Sequence, residues 1–108
     1  MNEIIDIQRK ALQREIENLG FEDLRYSLLL SENQSKEEWQ WRIDFENGKY
    51  FVYGLADRAS VMGKKRVFDD FQIAKKSFLE RLKSVVDYNQ WAVKNNMSTG
   101  YSSPLWDK

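Results

Sequence analysis

Two pairs of adjacent carboxylates are the residues whose types and spacing in this sequence could do chemistry. They are Glu37-Glu38 and Asp69-Asp70, and a pair of carboxylates can perform general acid–base catalysis. Adjacent acids in a strand or at a helix start point in different directions, however, and Asp69 or Asp70 can cap a following helix. The pattern therefore favours helix capping over catalysis.

The composition removes most other catalytic and metal chemistry. The chain contains no His and no Cys, so it lacks disulfides, thiolate sites, the commonest general base and the commonest transition-metal ligand. It also contains no phosphate-binding glycine motif and no metal-ligand spacing. The sequence therefore predicts a protein that is not an enzyme and that needs no cofactor.

A basic cluster follows the middle of the chain and contains Arg58, Lys64, Lys65 and Arg66. Its cations could contact phosphates or carboxylates, or could simply be solvated. Seventeen basic residues balance seventeen acidic ones, and no aromatic residues alternate with the cluster, which argues against nucleic-acid binding. An acidic protein partner is the better prediction, with Arg58, Lys64 and Arg66 as contact residues.

The length and hydropathy predict one domain that does not enter a membrane. A chain of 108 residues with 42% hydrophobic residues can build one core. We expect a single domain over residues 1–96 and a coil tail over residues 97–108, either frayed or docked by Tyr101 and Trp106. No segment approaches the roughly 20 apolar residues of a membrane span, and Met1–Gly20 resembles no secretory signal.

Helical periodicity marks both ends of this domain. Apolar residues recur at helical spacing over residues 2–19, and Gly20 follows as a stop signal. A second stripe predicts a longer helix, capped by Asp69 or Asp70, that ends at about residue 95. The members of this second stripe are Phe71, Ala74, Phe78, Leu82, Val85, Val86 and Trp91.

A β-hairpin lies between the two predicted helices. Apolar and polar residues alternate strictly from Trp39 to Glu46, and Asn47-Gly48 then suits the positive φ angles of a type I′ turn. The predicted cross-strand pairs are Glu46 with Lys49, Phe45 with Tyr50, Ile43 with Val52, and Trp41 with Gly54, with Trp39 over Ala56.

Residues 24–31 predict a further strand, and residues 66–68 predict a short edge strand. Residues 32–38 and 57–65 are expected to be loops. The fold class is therefore α+β: an antiparallel meander of three to four strands with both helices packed on one face.

The opposite face of this sheet should carry Arg42, Asp44, Phe51 and Tyr53 beside other strand residues. Large apolar side chains are costly to leave in water, at about 25 cal/mol per Å² of apolar surface. Either the C-terminal tail covers this face, or the face is an interface built on Phe51 and Tyr53 with Arg42 and Asp44 as its polar rim.

Four segments give the chain a family resemblance. They are E-W-Q-W-R-I-D-F (38–45), N-G-K-Y-F-V-Y-G (47–54), A-D-R-A-S-V (56–61) and F-D-D-F (68–71). With these segments the chain resembles the small α+β immunity proteins that bacteria encode beside polymorphic toxins, in particular the immunity protein 59 family, over roughly residues 20–86.

The resemblance implies a cytoplasmic protein that binds one cognate toxin domain and neutralises it without catalysis. The zero net charge differs from the acidic inhibitors of basic nucleases, and so argues against a nuclease as the toxin. A generic interaction module, present as a monomer or a weak homodimer, is the alternative that the residues leave open, with nucleic-acid binding through the basic cluster as a minor one.

Overall fold

A computed structural model describes residues 3–31 and 34–107, which form a mixed α+β domain. The chain order is α1 (Glu3–Leu19), β1 (Tyr26–Leu28), β2 (Trp41–Glu46), β3 (Lys49–Leu55), β4 (Val61–Phe68) and α2 (Phe71–Lys94). The α+β class predicted from the sequence is confirmed. The predicted helix start at residue 2, two residues of the predicted loop (32 and 33) and the last tail residue lie outside the described residues.

The four strands lie side by side in the order β1-β2-β3-β4, but β1 runs parallel to β2. The predicted antiparallel meander is therefore wrong for β1 and right for β2 to β4. Leu29 has a φ angle of 56°, which ends the strand well before the predicted residue 31. A parallel neighbour needs a crossover connection, and residues 29–40 provide it.

The hairpin between β2 and β3 has the predicted register at all four pairs, from Glu46 with Lys49 to Trp41 with Gly54. The turn residues Asn47 and Gly48 have φ angles of 53° and 76°, as a two-residue turn of this kind requires. The strand begins at Trp41 rather than at residue 39.

Strand β4 is longer than predicted, because it spans Val61–Phe68 where the sequence predicted a loop up to residue 65. Arg58 and Ala59 make the turn into it, with φ angles of 59° and 55°. Gly63 has a φ angle of 72°, and the pairing with β3 shifts register in this region. Because most of β4 is exposed, it lacks the apolar alternation by which a strand is recognised.

Both helices pack on the same face of the sheet, as predicted. Their buried apolar side chains join those of the inner strand face in one core cluster, which includes Leu12, Ile43, Val52 and Phe78. The predicted cap of α2 is confirmed for Asp70, whose Oδ1 accepts the Gln72 backbone N–H at 2.7 Å.

The C-terminal tail is docked rather than frayed. Residues Pro104–Asp107 form a 3-10 helix that buries Leu105 and Trp106 in the core on the helix side of the sheet. The Trp106 Nε1–H donates to the Tyr101 carbonyl at 2.8 Å, and the Gln90 amide donates to the Leu105 carbonyl at 3.0 Å. The tail therefore completes the helix-side core, and the prediction that it could cover the opposite sheet face is wrong.

Candidate functional site

The sheet face opposite the helices is not an open surface. Arg42, Asp44 and Tyr53 are 0%, 2% and 1% exposed. Ser31, in the connection between β1 and β2, contacts this face: Arg42 Nη2 donates to the Ser31 carbonyl at 3.2 Å. The expectation that this face is exposed is therefore wrong, and these three side chains cannot touch a partner while the domain is folded.

The three buried side chains form a hydrogen-bonded network instead. Arg42 Nε donates to Asp44 Oδ2 at 3.3 Å, and its Nη1 donates to Gln40 Oε1 at 2.8 Å. Arg42 Nη2 also lies 3.1 Å from Asp44 Oδ1, as an electrostatic contact rather than a hydrogen bond. The Tyr53 hydroxyl donates to Asp44 Oδ2 at 2.5 Å. Asp44 Oδ2 therefore accepts two hydrogen bonds, whereas Oδ1 has the ion-pair contact alone.

Burial raises the pKa of the Tyr53 hydroxyl well above its ordinary value, and the hydrogen bond to Asp44 raises it further. The hydroxyl therefore stays protonated and remains a donor to the carboxylate. The neutral Tyr53 hydroxyl donates to the ion-paired Asp44 carboxylate and so stabilises the fold. Neither group is free to act as a general acid or base.

The other predicted contact residues are accessible but do not share one surface. Phe51 is half-buried, and Arg58, Lys64 and Arg66 are exposed. Arg58 lies in the 3-10 turn before β4, whereas Lys64 and Arg66 lie on β4 itself. Contact roles for Phe51 and Arg58 stay predictions.

In the two pairs of adjacent carboxylates, Asp70, Asp69 and Glu37 each have a capping or ion-pair contact. Asp70 caps α2, and Asp69 Oδ1 accepts from the Lys49 ammonium at 2.5 Å. Glu37 lies 3.8 Å from the Arg25 guanidinium, and both Glu37 and Glu38 are exposed. Across residues 3–31 and 34–107, no group of three or more His, Cys, Asp or Glu side chains could hold a metal ion.

An apolar groove of about 280 Å³ lies between the sheet, α2 and the tail. We call it the aromatic groove. It is lined by Trp39, Trp41, Leu55, Met62, Ser84, Val85, Tyr88, Asn89, Gly100 and Tyr101.

Two glycines allow the indole rings that line this groove to pack closely on the backbone. A Cβ atom at Gly54 would lie 2.9 Å from the Trp41 ring, and one at Gly100 would lie 2.8 Å from the Trp39 ring. Both contacts are closer than a side chain allows, so each indole lies flat on a bare backbone. The predicted fit of Trp41 over Gly54 is confirmed, whereas Trp39, with a φ angle of 61°, leaves the strand to line the groove.

The rim of the aromatic groove is exposed. Tyr88 and Trp91 are each at least half exposed, with ring centroids 6.0 Å apart, and Met62 is also exposed. The prediction that the core stripe of α2 runs on to Trp91 is therefore wrong. Aromatic residues and Met are enriched at protein interfaces, and clustered exposed apolar side chains commonly mark a binding surface.

A second cleft, of about 470 Å³, continues from the aromatic groove past Trp41 and Met62, which line both. We call it the basic cleft, because four cationic residues line it: Lys64, Lys65, Arg66 and Arg81. The Arg81 guanidinium lies over the Trp41 ring, 5.8 Å from its centroid. The sequence predicted Lys64 and Arg66 as contact residues but did not place Arg81 beside them.

These features define a small α+β domain whose accessible concave surface suits binding another molecule. The immunity protein 59 family matches residues 5–107, nearly the whole chain, and the chain belongs to this family. The resemblance seen in the sequence is thereby confirmed. No curated protein and no solved structure gives a significant match. No helix in the described part of the chain is long and apolar enough to cross a membrane.

Proposed function

We propose that this chain is a cytoplasmic immunity protein that binds a cognate bacterial toxin domain and neutralises it without catalysis. Membership of the immunity protein 59 family supports the toxin as the partner. The aromatic groove with its exposed rim is the observation that supports the location of the binding site. The toxin domain inserts apolar side chains into this groove and is blocked by the bound domain.

The buried network supports the groove, rather than the opposite sheet face, as the proposed site. The polar atoms of Arg42, Asp44 and Tyr53 contact one another and the Ser31 carbonyl. Tyr88 and Trp91, by contrast, expose their rings on α2. Interface energy concentrates in buried aromatic anchors, and these two rings can become buried only when a partner covers them.

Protection of a toxin-expressing cell tests the proposal. Tyr88→Ala should abolish protection, since it removes a ring from the rim of the groove, and hot-spot truncations cost about 2 kcal/mol or more of binding free energy. Ile73→Ala is the matched control, because Ile73 lies on the same helix, is equally exposed at 56%, and does not line the groove. Growth of cells that co-express each variant with the toxin domain encoded beside its gene is the readout.

Equal protection by the two variants would show that the groove is not the binding site. Self-association is the competing use of the same exposed rings, and it predicts that Tyr88→Ala changes the sedimentation coefficient rather than the protection. A wild-type protein that sediments as a monomer would remove that alternative.

A further inference from the structure

We infer that the basic cleft receives an acidic segment of the toxin domain, next to the apolar side chains that enter the aromatic groove. This inference rests on the proposed function and names the chemistry of the partner. Trp41 and Met62 line both cavities, so one continuous surface changes from apolar to basic along its length. A partner that fills it must present apolar and acidic groups side by side.

The cations of the basic cleft are available to such a partner. Lys64, Arg66 and Arg81 form no ion pair with any carboxylate among the described residues. None of the residues that line the cleft is acidic. Three of the four cations that line the cleft therefore have no ion-pair partner in the described part of the chain.

Some cations on other surfaces of the same domain form ion pairs. Lys49 lies 2.5 Å from Asp69, and Lys75 lies 2.9 Å from Glu15. The chain has zero net charge, so the potential at the basic cleft is a local feature rather than part of a uniformly basic surface. A local positive potential steers an acidic patch of a partner and speeds association.

Two other occupants match the cleft and the groove less well. A second copy that paired its β4 strand with this one would bring two runs of cations together, and like charges on neighbouring strands are destabilising. A nucleic acid would gain phosphate contacts in the cleft only, because the adjoining groove is lined largely by apolar side chains and contains no cation. A protein segment with acidic and apolar residues matches both parts.

Association kinetics with the toxin domain encoded beside the gene test this inference. The variant Lys64→Glu with Arg66→Glu should bind at least about tenfold more slowly at low salt, since charge complementarity acts mainly on the association rate. Its association rate should also depend less on salt. The control is Lys10→Glu with Lys76→Glu, which reverses two exposed cations away from the cleft and gives the same net charge.

Equal association rates for the two double variants would overturn the inference while leaving the proposed function in place, because binding itself would persist. A wild-type chain that does not bind the toxin domain overturns both. A fluorescein-labelled single-stranded oligonucleotide that binds the wild type, and not the cleft variant, would also overturn the inference, because the cleft would then be a phosphate-binding site.

Discussion

Removal of the Asp44 carboxylate should destabilise the domain more than any surface substitution. Arg42 is fully buried, and its guanidinium lies 3.1 Å from Asp44 Oδ1. In the variant Asp44→Ala the guanidinium keeps its hydrogen bonds to Gln40 and to the Ser31 carbonyl, but its counter-charge is lost. A buried charge left without its partner costs about 3–5 kcal/mol.

Tyr53 adds to this loss, because its hydroxyl donates to Asp44 and has no other acceptor among the described residues. A buried hydroxyl left without its hydrogen bond costs about 1–3 kcal/mol. Since domains of this size are stable by about 5–15 kcal/mol in total, we expect Asp44→Ala to remove at least about a quarter of the free energy of unfolding.

Urea unfolding at neutral pH, followed by far-ultraviolet circular dichroism, measures this loss in the free energy of unfolding. Asp87→Ala is the control, because Asp87 is exposed on α2 and should change stability by no more than about 0.5 kcal/mol. The double variant Arg42→Met with Asp44→Leu should recover most of the loss, since apolar side chains often replace a buried ion pair without cost. An Asp44→Ala protein within about 1 kcal/mol of the wild type would refute the burial of this pair.

Three further substitutions test other parts of the structure. Gly54→Ala should cost about 1–3 kcal/mol and change the tryptophan fluorescence, because the added Cβ would lie 2.9 Å from the Trp41 ring; an unchanged spectrum and urea midpoint would contradict the stacking. Trp106→Ala should cost about 3–5 kcal/mol by opening a cavity under the tail, and a loss below about 1 kcal/mol in urea unfolding would mean that the tail is not docked. Burial raises the pKa of Tyr53 in the folded state, so its stabilising contribution is complete below the unfolded value of about 10 and decreases above it. The stability of the wild type should therefore fall more steeply above pH 10 than that of Tyr53→Phe, and parallel curves in alkaline urea titrations would count against this role.

The hairpin and the helices could be predicted because their signals are local. Asn47-Gly48 determines the turn, and the turn then determines the register from Glu46 to Gly54. The Asp70 cap and the stop at Gly20 are likewise properties of a few adjacent residues. Each of these elements is specified without reference to distant parts of the chain.

The direction of β1 could not be predicted, because it depends on a partner strand that lies beyond a crossover. The alternation in β2 placed Arg42 and Asp44 on the face opposite the helices, where the sequence offered them as the polar rim of an interface. An alternation of apolar and polar residues is the same whether the polar side is solvated or covered by its own loop. The burial of this pair therefore follows from the topology and not from the local pattern.

The aromatic groove was missed for a related reason. Its side chains come from β2, β3, β4, α2, the segment before β2 and the segment before the C-terminal 3-10 helix, so no local pattern joins them. The predicted packing of Trp41 on Gly54 is correct, but the Trp41 side chain also lines the groove. Lys64 and Arg66 were correctly singled out as accessible cations, and only the tertiary structure adds Arg81 to them.

Calorimetric titration of the purified chain with the toxin domain encoded beside its gene tests the central claim most directly. We predict a saturable complex for the wild type and for Ile73→Ala, and an affinity at least about thirtyfold lower for Tyr88→Ala, the factor that corresponds to 2 kcal/mol. No complex with the wild type, or equal affinity for the two variants, would contradict the claim that this domain neutralises a toxin through its aromatic groove.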